Sequence, residues 1–560
     1  MAARAQLIRI QRNIYDRLKQ YARNYLEGLG PGLKQYFREY QRDFYHFESL
    51  STKRELLLAL ERSHIIFCGD YHTLSQAQRT VIRLLRDSVD KIKRRGKHVV
   101  LALEMLQPKN NKAVKNFLGG RLSEQAFLKT ISFGRQWGFP WENYRPLFDF
   151  ARSHDVSIVG VNSPQKRASL SERDRYAAQV VASLSATDPA ALIFVLMGDL
   201  HLAQDHLPKE TQRILDKLQA QRSLLTIHQN NETFYWKLVE KGLEHDVEVI
   251  RIKKNIFCVM TTPPWIKLQS HLKWMEVTSD KSAFSSKVST QEIVKPADVF
   301  QETDFSDEIR EIVEAISQFF GIKEKITDNF VIYGNINKKA LSRLAQNHHY
   351  TKRETALLGY YVTQLESLFV PRENLIYLTS FSLNQMASQS AILIHAELSG
   401  FRRVFGCVRK DFYAFVLIEA LGFIGSKVIN HKRKCKTVAQ LKDLLAEEKG
   451  NPHGLATLTL AHLEAEEKMF SLKRKSLRFA LPGSKASMQT TLAYYRVAKT
   501  LGQMLGQAIY QALVKGQVHR ADAAHLFSCS FNKHTENRQI YLHWVRMLES
   551  CGCRKMPPLL

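Results

Sequence analysis

The stretch "FVLMGDLHL", residues 194–202, is an apolar run that stops at a glycine and continues into an aspartate and a histidine. Residues 65–73, "IIFCGDYHT", repeat this arrangement, because another apolar run meets Gly-Asp-x-His. Short, continuously apolar runs are typical of strands that are buried on both faces. Each of these two strands is therefore predicted to end on an acid and a histidine.

Further apolar runs at 99–103 and 156–161 alternate with helical patterns such as "QAQRTVIRLLRDSVDKI" and "RDRYAAQVVASLSA". Strands that alternate with helices predict an α/β fold with a mostly parallel sheet and helices on both faces. Three more runs between 223 and 262, "SLLTIHQ", "TFYWKLV" and "EVIRIKKNIFCVMTT", are predicted to be strands that extend the sheet in mixed directions.

The chain is predicted to have four parts. A basic amphipathic helical segment (1–50) precedes the α/β domain (51–280), and a linker rich in Ser, Thr, Lys and Asp (281–303) leads to a separate all-helical domain (304–560). Within the last part, Thr351 and Glu354 have the spacing of a capping box at a helix start. The sequence does not identify the role of the helical domain, which is interpreted as a regulatory domain or as an interaction domain for a protein partner.

Charge is the unusual feature of the composition. The 560 residues include 81 Lys and Arg against 54 Asp and Glu, a formal net charge of +27, which favours anionic ligands or surfaces. The basic clusters lack interleaved aromatic residues, so nucleic acid is not an expected partner. The seven scattered cysteines do not form a disulfide framework. Cys551 and Cys553 could bind a soft metal, but no second cysteine pair lies nearby in the sequence.

The N-terminal residues carry charges throughout and lack the apolar core of a signal peptide. The longest apolar stretch, residues 412–425, is short for a membrane span and contains Glu419, so no transmembrane segment is expected. These features predict a cytoplasmic protein whose basic N-terminus can contact a membrane surface peripherally.

The candidate site follows from the strand ends. In a parallel sheet, ligands bind beyond the carboxyl ends of the strands, where both Gly-Asp-x-His motifs lie. Thr73 and Gln76 have capping-box spacing, so a helix N-terminus suited to an anionic ligand is expected beside His72. Glu104, in the buried strand "VVLALEML", is costly to bury unless it is paired or bound.

Three kinds of chemistry fit His72, His201 and Glu104. With Asp70 or Asp199, they can hold a divalent transition metal or act as an acid and base in hydrolysis. A single histidine can instead ligate haem iron. Alternatively, Glu104 neutralises a buried arginine such as Arg135.

Two further features lie near these strand ends. The segment "RQWGFPWENYRP" contains aromatic residues that either wall a pocket for a planar ring or close the edge of the core. They are Trp137, Phe139, Trp141 and Tyr144. Asn162 follows the strand at 156–161, where it either binds a ligand or caps a turn.

Residues 50–275 resemble the ChaN-like haem-binding proteins, which are related to the Tiki, TraB and erythromycin-esterase group. The resemblance rests on an ordered set of motifs: "FCGDYH", "LALEML", "WGFPWENYRPLFDFAR", "VGVNSP", "LSERDRYAAQVV" and "LMGDLHL". It implies a pocket at the strand ends that takes haem or a metal, with His72 as the iron ligand and His201 and Glu104 in the same pocket. The helical half is not part of the resemblance.

The chain departs from the pattern of this family at several positions. The family motif usually has Glu after Gly and a second His about five residues after the first, whereas this chain has Asp70, Gln76 and Gln78. Relatives in haem uptake are commonly exported lipoproteins, but no signal or lipobox is evident here. These departures argue against a second haem-side histidine and against an uptake role at the cell surface.

The sequence therefore supports three hypotheses: a haem- or iron-binding protein, a Tiki- or esterase-like hydrolase dependent on a divalent metal, and a non-catalytic scaffold acting through its helical half. The ligand is haem, a small anion or a bare metal ion. The candidate binding residues are Gly69, Asp70, His72, Glu104, Tyr144, Asn162, Gly198, Asp199 and His201. The candidate metal ligands, or catalytic residues in a hydrolase, are His72, His201 and Glu104.

Overall fold

The computed structural model divides into two compact units, Ile14–Ile293 and a second unit made of Met1–Asn13 with Val294–Leu560. The described residues are 2–26, 31–165, 168–272, 306–327, 329–334, 346, 349–365, 367–378, 382–402, 408–448, 451, 454–471 and 488–553. The predicted linker, residues 281–303, lies outside them.

An eight-stranded sheet forms the centre of the unit Ile14–Ile293. Its strand order is β1-β7-β8-β6-β2-β5-β3-β4, and every pair from β8 to β4 is parallel. The β1–β7 and β7–β8 pairs are antiparallel, which confirms the mixed directions predicted for this edge. Strands β1 to β8 are, in order, Ser49–Ser51, Ile65–Asp70, His98–Leu103, Ser157–Gly160, Ala191–Gly198, Leu224–Gln229, Val249–Lys253 and Ile256–Val259.

Helices cover both faces of this sheet. Alternate strand residues point to opposite faces, so each strand contributes side chains to both layers of helices. In β2, Ile66 and Cys68 pack with helices on one face, whereas Ile65 and Phe67 pack with α10 and α11 on the other. Helices α1 to α12 are, in order, Ala2–Leu26, Pro31–Arg42, Lys53–Arg62, Ser75–Arg86, Val89–Arg94, Asn111–Leu118, Glu124–Thr130, Phe133–Gln136, Trp141–Ser153, Leu170–Thr187, Leu207–Lys217 and Glu232–Glu240. Residues 264–272 form a further helical segment. The predicted α/β architecture is confirmed.

Two local predictions were wrong. Residues 233–239, predicted as a strand, lie in helix α12, which begins where the Asn231 side chain accepts a hydrogen bond from the Phe234 N–H. Helix α4 does begin just after His72, but its N-cap is Leu74, without a side-chain cap. Thr73 does not form a capping box, and its hydroxyl contacts that of Ser270 at 3.1 Å.

The second unit is mostly helical. Its helices α13 to α21 are Ser306–Phe320, Lys352–Gln364, Leu383–Ser399, Val408–Ile429, Val438–Glu447, Leu455–Ser471, Met488–Val514, Arg520–Ser528 and His534–Ser550. The unit also contains a three-stranded sheet that the helical prediction did not include, made of β9 (Val331–Gly334), β10 (Ser367–Val370) and β11 (Leu375–Leu378). The capping box of Thr351 and Glu354 is present at the start of α14.

One segment of the described residues, Phe412–Ile429 in α16, is long and apolar enough by composition to cross a membrane, with a mean hydropathy of 1.7. The whole segment is buried within the protein, and buried core helices of proteins outside membranes have the same length and composition.

Candidate functional site

The two Gly-Asp-x-His motifs end neighbouring strands. Strands β2 and β5 pair in parallel register, with Asp70 opposite Gly198. After each strand the backbone leaves the sheet, and the histidine follows within three residues of the last strand residue. Glu104 comes directly after β3, the other neighbour of β5, so all three side chains lie at one edge of the sheet.

The His72 imidazole is held firmly at its Nδ1 atom. That nitrogen lies 2.8 Å from Oδ2 of Asp70 and 3.1 Å from the hydroxyl of Tyr144, which itself donates to the same carboxylate at 2.8 Å. Gln78 donates a hydrogen bond to the other oxygen of Asp70. The Nε2 atom of His72 therefore points away from these partners, and it lies 3.6 Å from Oε2 of Glu104.

The His201 imidazole is held in the same way on the opposite side of Glu104. Its Nδ1 atom lies 2.6 Å from Oδ1 of Asp174, and its Nε2 atom lies 3.8 Å from Oε1 of Glu104. The Tyr36 hydroxyl donates to the second oxygen of Asp174 at 3.0 Å. A carboxylate that fixes one nitrogen of a histidine leaves the other oriented toward a ligand.

The Glu104 carboxylate is buried between the two imidazoles. It accepts a hydrogen bond from the Gly198 N–H at 2.8 Å, and the Arg173 guanidinium lies 3.5 Å away. Burial opposes ionisation, but the two histidines, Arg173 and this N–H outweigh it and lower the pKa of Glu104. The arginine beside Glu104 is therefore Arg173, whereas Arg135, the candidate from the sequence, is exposed.

The pKa of His72 is shifted in the opposite direction. Burial disfavours the imidazolium, but Asp70 and then Glu104 and Asp199 favour it more strongly, so the pKa of His72 is raised above its ordinary value. A proton on His72 is thus stabilised by the acids that surround it.

Asp199 lies near His72 and pairs with the ammonium group of Lys267. Its Oδ2 atom accepts a hydrogen bond from Lys267 at 3.0 Å, yet burial keeps the pKa of Asp199 raised. A Cβ at Gly69 would overlap the Asp199 carboxylate, and a Cβ at Gly198 would lie 3.2 Å from Nε2 of His72. Glycine at both positions therefore leaves room for the side chains of the site.

Two aromatic rings pack beside the His72 imidazole. The ring centroids of Trp137 and Phe139 lie 4.8 and 4.6 Å from that of the imidazole. Trp141 packs with Phe148 and Phe117 in the core instead, away from His72. Two of the four predicted aromatic wall residues thus contact His72 as rings, and a third, Tyr144, contacts it through its hydroxyl.

Asn162 lies at the margin of this arrangement. Its Oδ1 atom accepts a hydrogen bond from Arg173 at 3.3 Å, so it contacts Glu104 only through that arginine. Asn162 therefore positions a charged group of the site.

Among the described residues, no group of three or more His, Cys, Asp or Glu side chains is arranged to hold a metal ion. The Nε2 atoms of His72 and His201 approach different oxygens of Glu104, at 3.6 and 3.8 Å. The three side chains are therefore brought together around one carboxylate, but they do not form a closed metal cage.

Comparison with known proteins finds a family that is similar to part of this chain. Residues 56–191 match the family model described as "Haem-binding uptake, Tiki superfamily, ChaN". This part of the chain is similar to that family, and we refer to the unit Ile14–Ile293 that contains it as the ChaN-like domain. The match covers β2 and β3 with His72 and Glu104, and it ends where β5 begins.

A search of solved structures returns a protein titled "Cofacial heme binding to ChaN of Campylobacter jejuni". It is 11% identical, with a TM-score of 0.26, and the alignment covers 32% of this chain and 86% of that one. A search of curated proteins finds no match. The assignment therefore rests on the family model, which supports haem binding at the level of the family.

Several residues of the ChaN-like domain that complete the site were not predicted. Asp174 and Arg173 lie in the first turns of α10, Lys267 lies in the segment 264–272, and Tyr36 lies in α2. A sequence signal existed for one of them, because Asp174 has helical spacing to the apolar residues Ala178 and Val181, and the structure buries it almost completely. The other three have no comparable signal.

Proposed function

We propose that the ChaN-like domain binds haem in the crevice at the carboxyl ends of β2 and β5, with His72 as the ligand of the iron. The observation that carries this proposal is the way His72 is held. Its Nδ1 atom is fixed by Asp70, its Nε2 atom is directed toward Glu104 at 3.6 Å, and 19% of its side chain is exposed. A histidine oriented by a carboxylate is a strong axial ligand for iron.

The surroundings of His72 suit a porphyrin. Trp137 and Phe139 supply aromatic rings beside the imidazole, against which a planar macrocycle can pack. Arg173 and Lys267 supply positive charge for the propionates. In this proposal Gly69, Asp70, Glu104, Tyr144, Asn162, Gly198, Asp199 and His201 shape the pocket.

A second candidate is a metal-dependent hydrolase of the Tiki or esterase type. It is favoured by the matched pairs Asp70–His72 and Asp174–His201, which direct two Nε2 atoms at one carboxylate. In this candidate His72, His201 and Glu104 hold a divalent metal, which would lower the pKa of a bound water. His201 is required here, whereas it is dispensable as a ligand in the haem proposal.

Titration of the purified full-length protein with haemin, followed by the Soret absorbance, tests the two candidates. We expect a saturable band for the wild type that is lost in His72→Ala and retained in His201→Ala. His98→Ala is the matched control, because His98 pairs with Asp188 at the surface of the same domain. Circular dichroism establishes that each variant is folded.

Metal analysis of the same samples tests the hydrolase candidate. Bound zinc, manganese or iron that is lost in both His72→Ala and His201→Ala, with no Soret band in the wild type, would replace the haem proposal with the hydrolase. A Soret band that His72→Ala leaves unchanged would show that the iron ligand lies elsewhere.

A further inference from the structure

The end of helix α21 carries two cysteines around one glycine. Cys551 is the C-cap residue of the helix, Gly552 follows with a φ of +67°, and Cys553 comes next. The Cys553 N–H donates to the Leu548 carbonyl and the Gly552 N–H to the Glu549 carbonyl, each at 3.0 Å. These two bonds define a Schellman motif, in which the glycine adopts the left-handed conformation.

This geometry fixes the separation of the cysteines. A residue in a helical conformation of either hand places the Cα atoms on its two sides about 5.4 Å apart, from a radius of about 2.3 Å and a rise of about 1.5 Å per residue. Disulfides usually join Cα atoms about 4.4 to 6.8 Å apart. The backbone of this turn therefore already holds Cys551 and Cys553 at a separation that a disulfide can span.

A glutamine side chain holds the turn at both cysteines. Gln517 donates its Nε2 hydrogen to the Cys551 carbonyl at 3.1 Å, and its Oε1 atom accepts from the Cys553 thiol at 2.6 Å. The Cys551 thiol donates to the Met547 carbonyl at 2.7 Å. Both cysteines are free and partly exposed, so a small reagent can reach them.

The residues of the turn also differ from those of an ordinary helix end. The position after the left-handed residue commonly makes a hydrophobic contact with the last turns of the helix. Here that position is Cys553, whose thiol contacts a glutamine amide instead. The left-handed glycine accounts for the helix end, but it does not account for a thiol on each side.

We propose that Cys551 and Cys553 form a redox-active dithiol that a small disulfide such as oxidised glutathione converts into an intramolecular disulfide. One thiolate attacks a sulfur of glutathione disulfide, forms a mixed disulfide and expels one glutathione thiolate. The second cysteine thiolate attacks the protein sulfur of that mixed disulfide and expels the second glutathione. The two protein thiols are oxidised, and one glutathione disulfide is reduced to two thiols.

The assignment is independent of haem binding, because none of its atoms belongs to the ChaN-like domain. A small, partly exposed disulfide belongs to the labile class that exchanges readily with cellular thiols. The turn is therefore a reversible modification site.

Equilibration of the full-length protein in glutathione buffers of increasing oxidation tests the proposal. After acid quenching, free thiols are alkylated, and peptides are mapped by mass spectrometry. We expect the peptide with Cys551 and Cys553 to carry no alkyl group and to be two hydrogens lighter than the reduced peptide. Reduction with dithiothreitol before alkylation should restore both thiols, so that both are then alkylated. Cys551→Ser and Cys553→Ser should each stop at the mixed disulfide with glutathione.

Cys529→Ser is the matched control, because Cys529 is also free and partly exposed but lies at the end of another helix. It should leave the internal disulfide unchanged. Alkylation of both cysteines in oxidised buffer, a mixed disulfide that persists in the wild type, or pairing of Cys553 with a cysteine other than Cys551 would each overturn the proposal.

Discussion

At the scale of single residues, the contact between Asp70 and His72 controls the candidate iron ligand. Replacing Asp70 with asparagine removes the charge that most favours the protonated imidazole, while burial still disfavours it. We expect the pKa of His72 to fall in Asp70→Asn, and the affinity for haemin to fall by about 10- to 100-fold because the imidazole is less firmly oriented. An NMR titration of the imidazole hydrogens and a haemin titration measure the two effects.

Asp188→Asn is the control for this prediction, because Asp188 pairs with the half-exposed His98 at 2.9 Å in the same domain. The titration of His72 should be unchanged in that variant. A His72 pKa that is equal in Asp70→Asn and in the wild type would show that Asp70 does not stabilise the imidazolium.

The raised pKa of His72 also predicts how pH affects binding. Iron and a proton compete for the Nε2 atom, so haemin affinity should fall as the pH is lowered through the raised pKa of His72. The effect on folding has the opposite sign. Protonation of a group with a raised pKa stabilises the fold fully below its ordinary value of 6.5, and this contribution is lost as the pH rises through the raised value. Soret titrations and urea denaturation across this pH range measure both; an affinity that rises toward acid would contradict the assignment of His72.

Sequence patterns could indicate which strand ends meet, but not every residue that completes the arrangement. Two Gly-Asp-x-His motifs after buried strands predict neighbouring polar groups, because parallel strands end at one edge of the sheet. Asp174 and Lys267 reach that edge from helices, and their approach depends on how the helices pack. Local sequence can place Asp174 on the inward face of its helix, but it does not show which strand end that helix packs against.

At the scale of secondary-structure elements, the errors have identifiable causes. The segment 233–239 is rich in Thr and aromatic residues, which favour strands, but Asn231 caps a helix there and its buried residues follow a helical period. The strands β10 and β11 are only four residues long, and they flank Pro371 and Asn374, a turn signal that could have revealed the hairpin. In the first case helix capping and packing outweigh local propensity, whereas in the second case a turn signal in the sequence was missed.

The contribution of the capping box to the stability of α14 can be measured by mutation. The Thr351 hydroxyl accepts a hydrogen bond from the Glu354 N–H at 3.2 Å, and Glu354 accepts in return from the Thr351 N–H at 2.8 Å. Thr351→Ala should reduce the stability of this helix by about 0.5 to 2 kcal/mol. Hydrogen exchange of the amides of Lys352–Gln364 measures the loss. Thr351→Ser retains the acceptor and should exchange like the wild type, so equal acceleration in both variants would refute the role of the cap.

At the scale of the whole molecule, alternation of apolar runs and helical patterns was enough to predict the α/β fold class. That alternation determines which strands are covered on both faces, and the burial of β2 and β5 along their whole lengths confirms it. The content of the second unit was less predictable, because its buried helices are apolar on most sides and short strands among them give little periodicity.

The net charge of +27 belongs to the chain as a whole and predicts how an anionic ligand reaches it. Electrostatic attraction accelerates the association of opposite charges and is screened within about 8 Å at physiological ionic strength. The association rate of haemin, measured by stopped-flow Soret absorbance, should therefore fall as salt is added, while the dissociation rate changes little. The dimethyl ester of haem lacks the propionate charges and is the control, and its association rate should fall much less. Equal salt dependence for the two ligands would show that the positive charge of the protein does not attract the propionates.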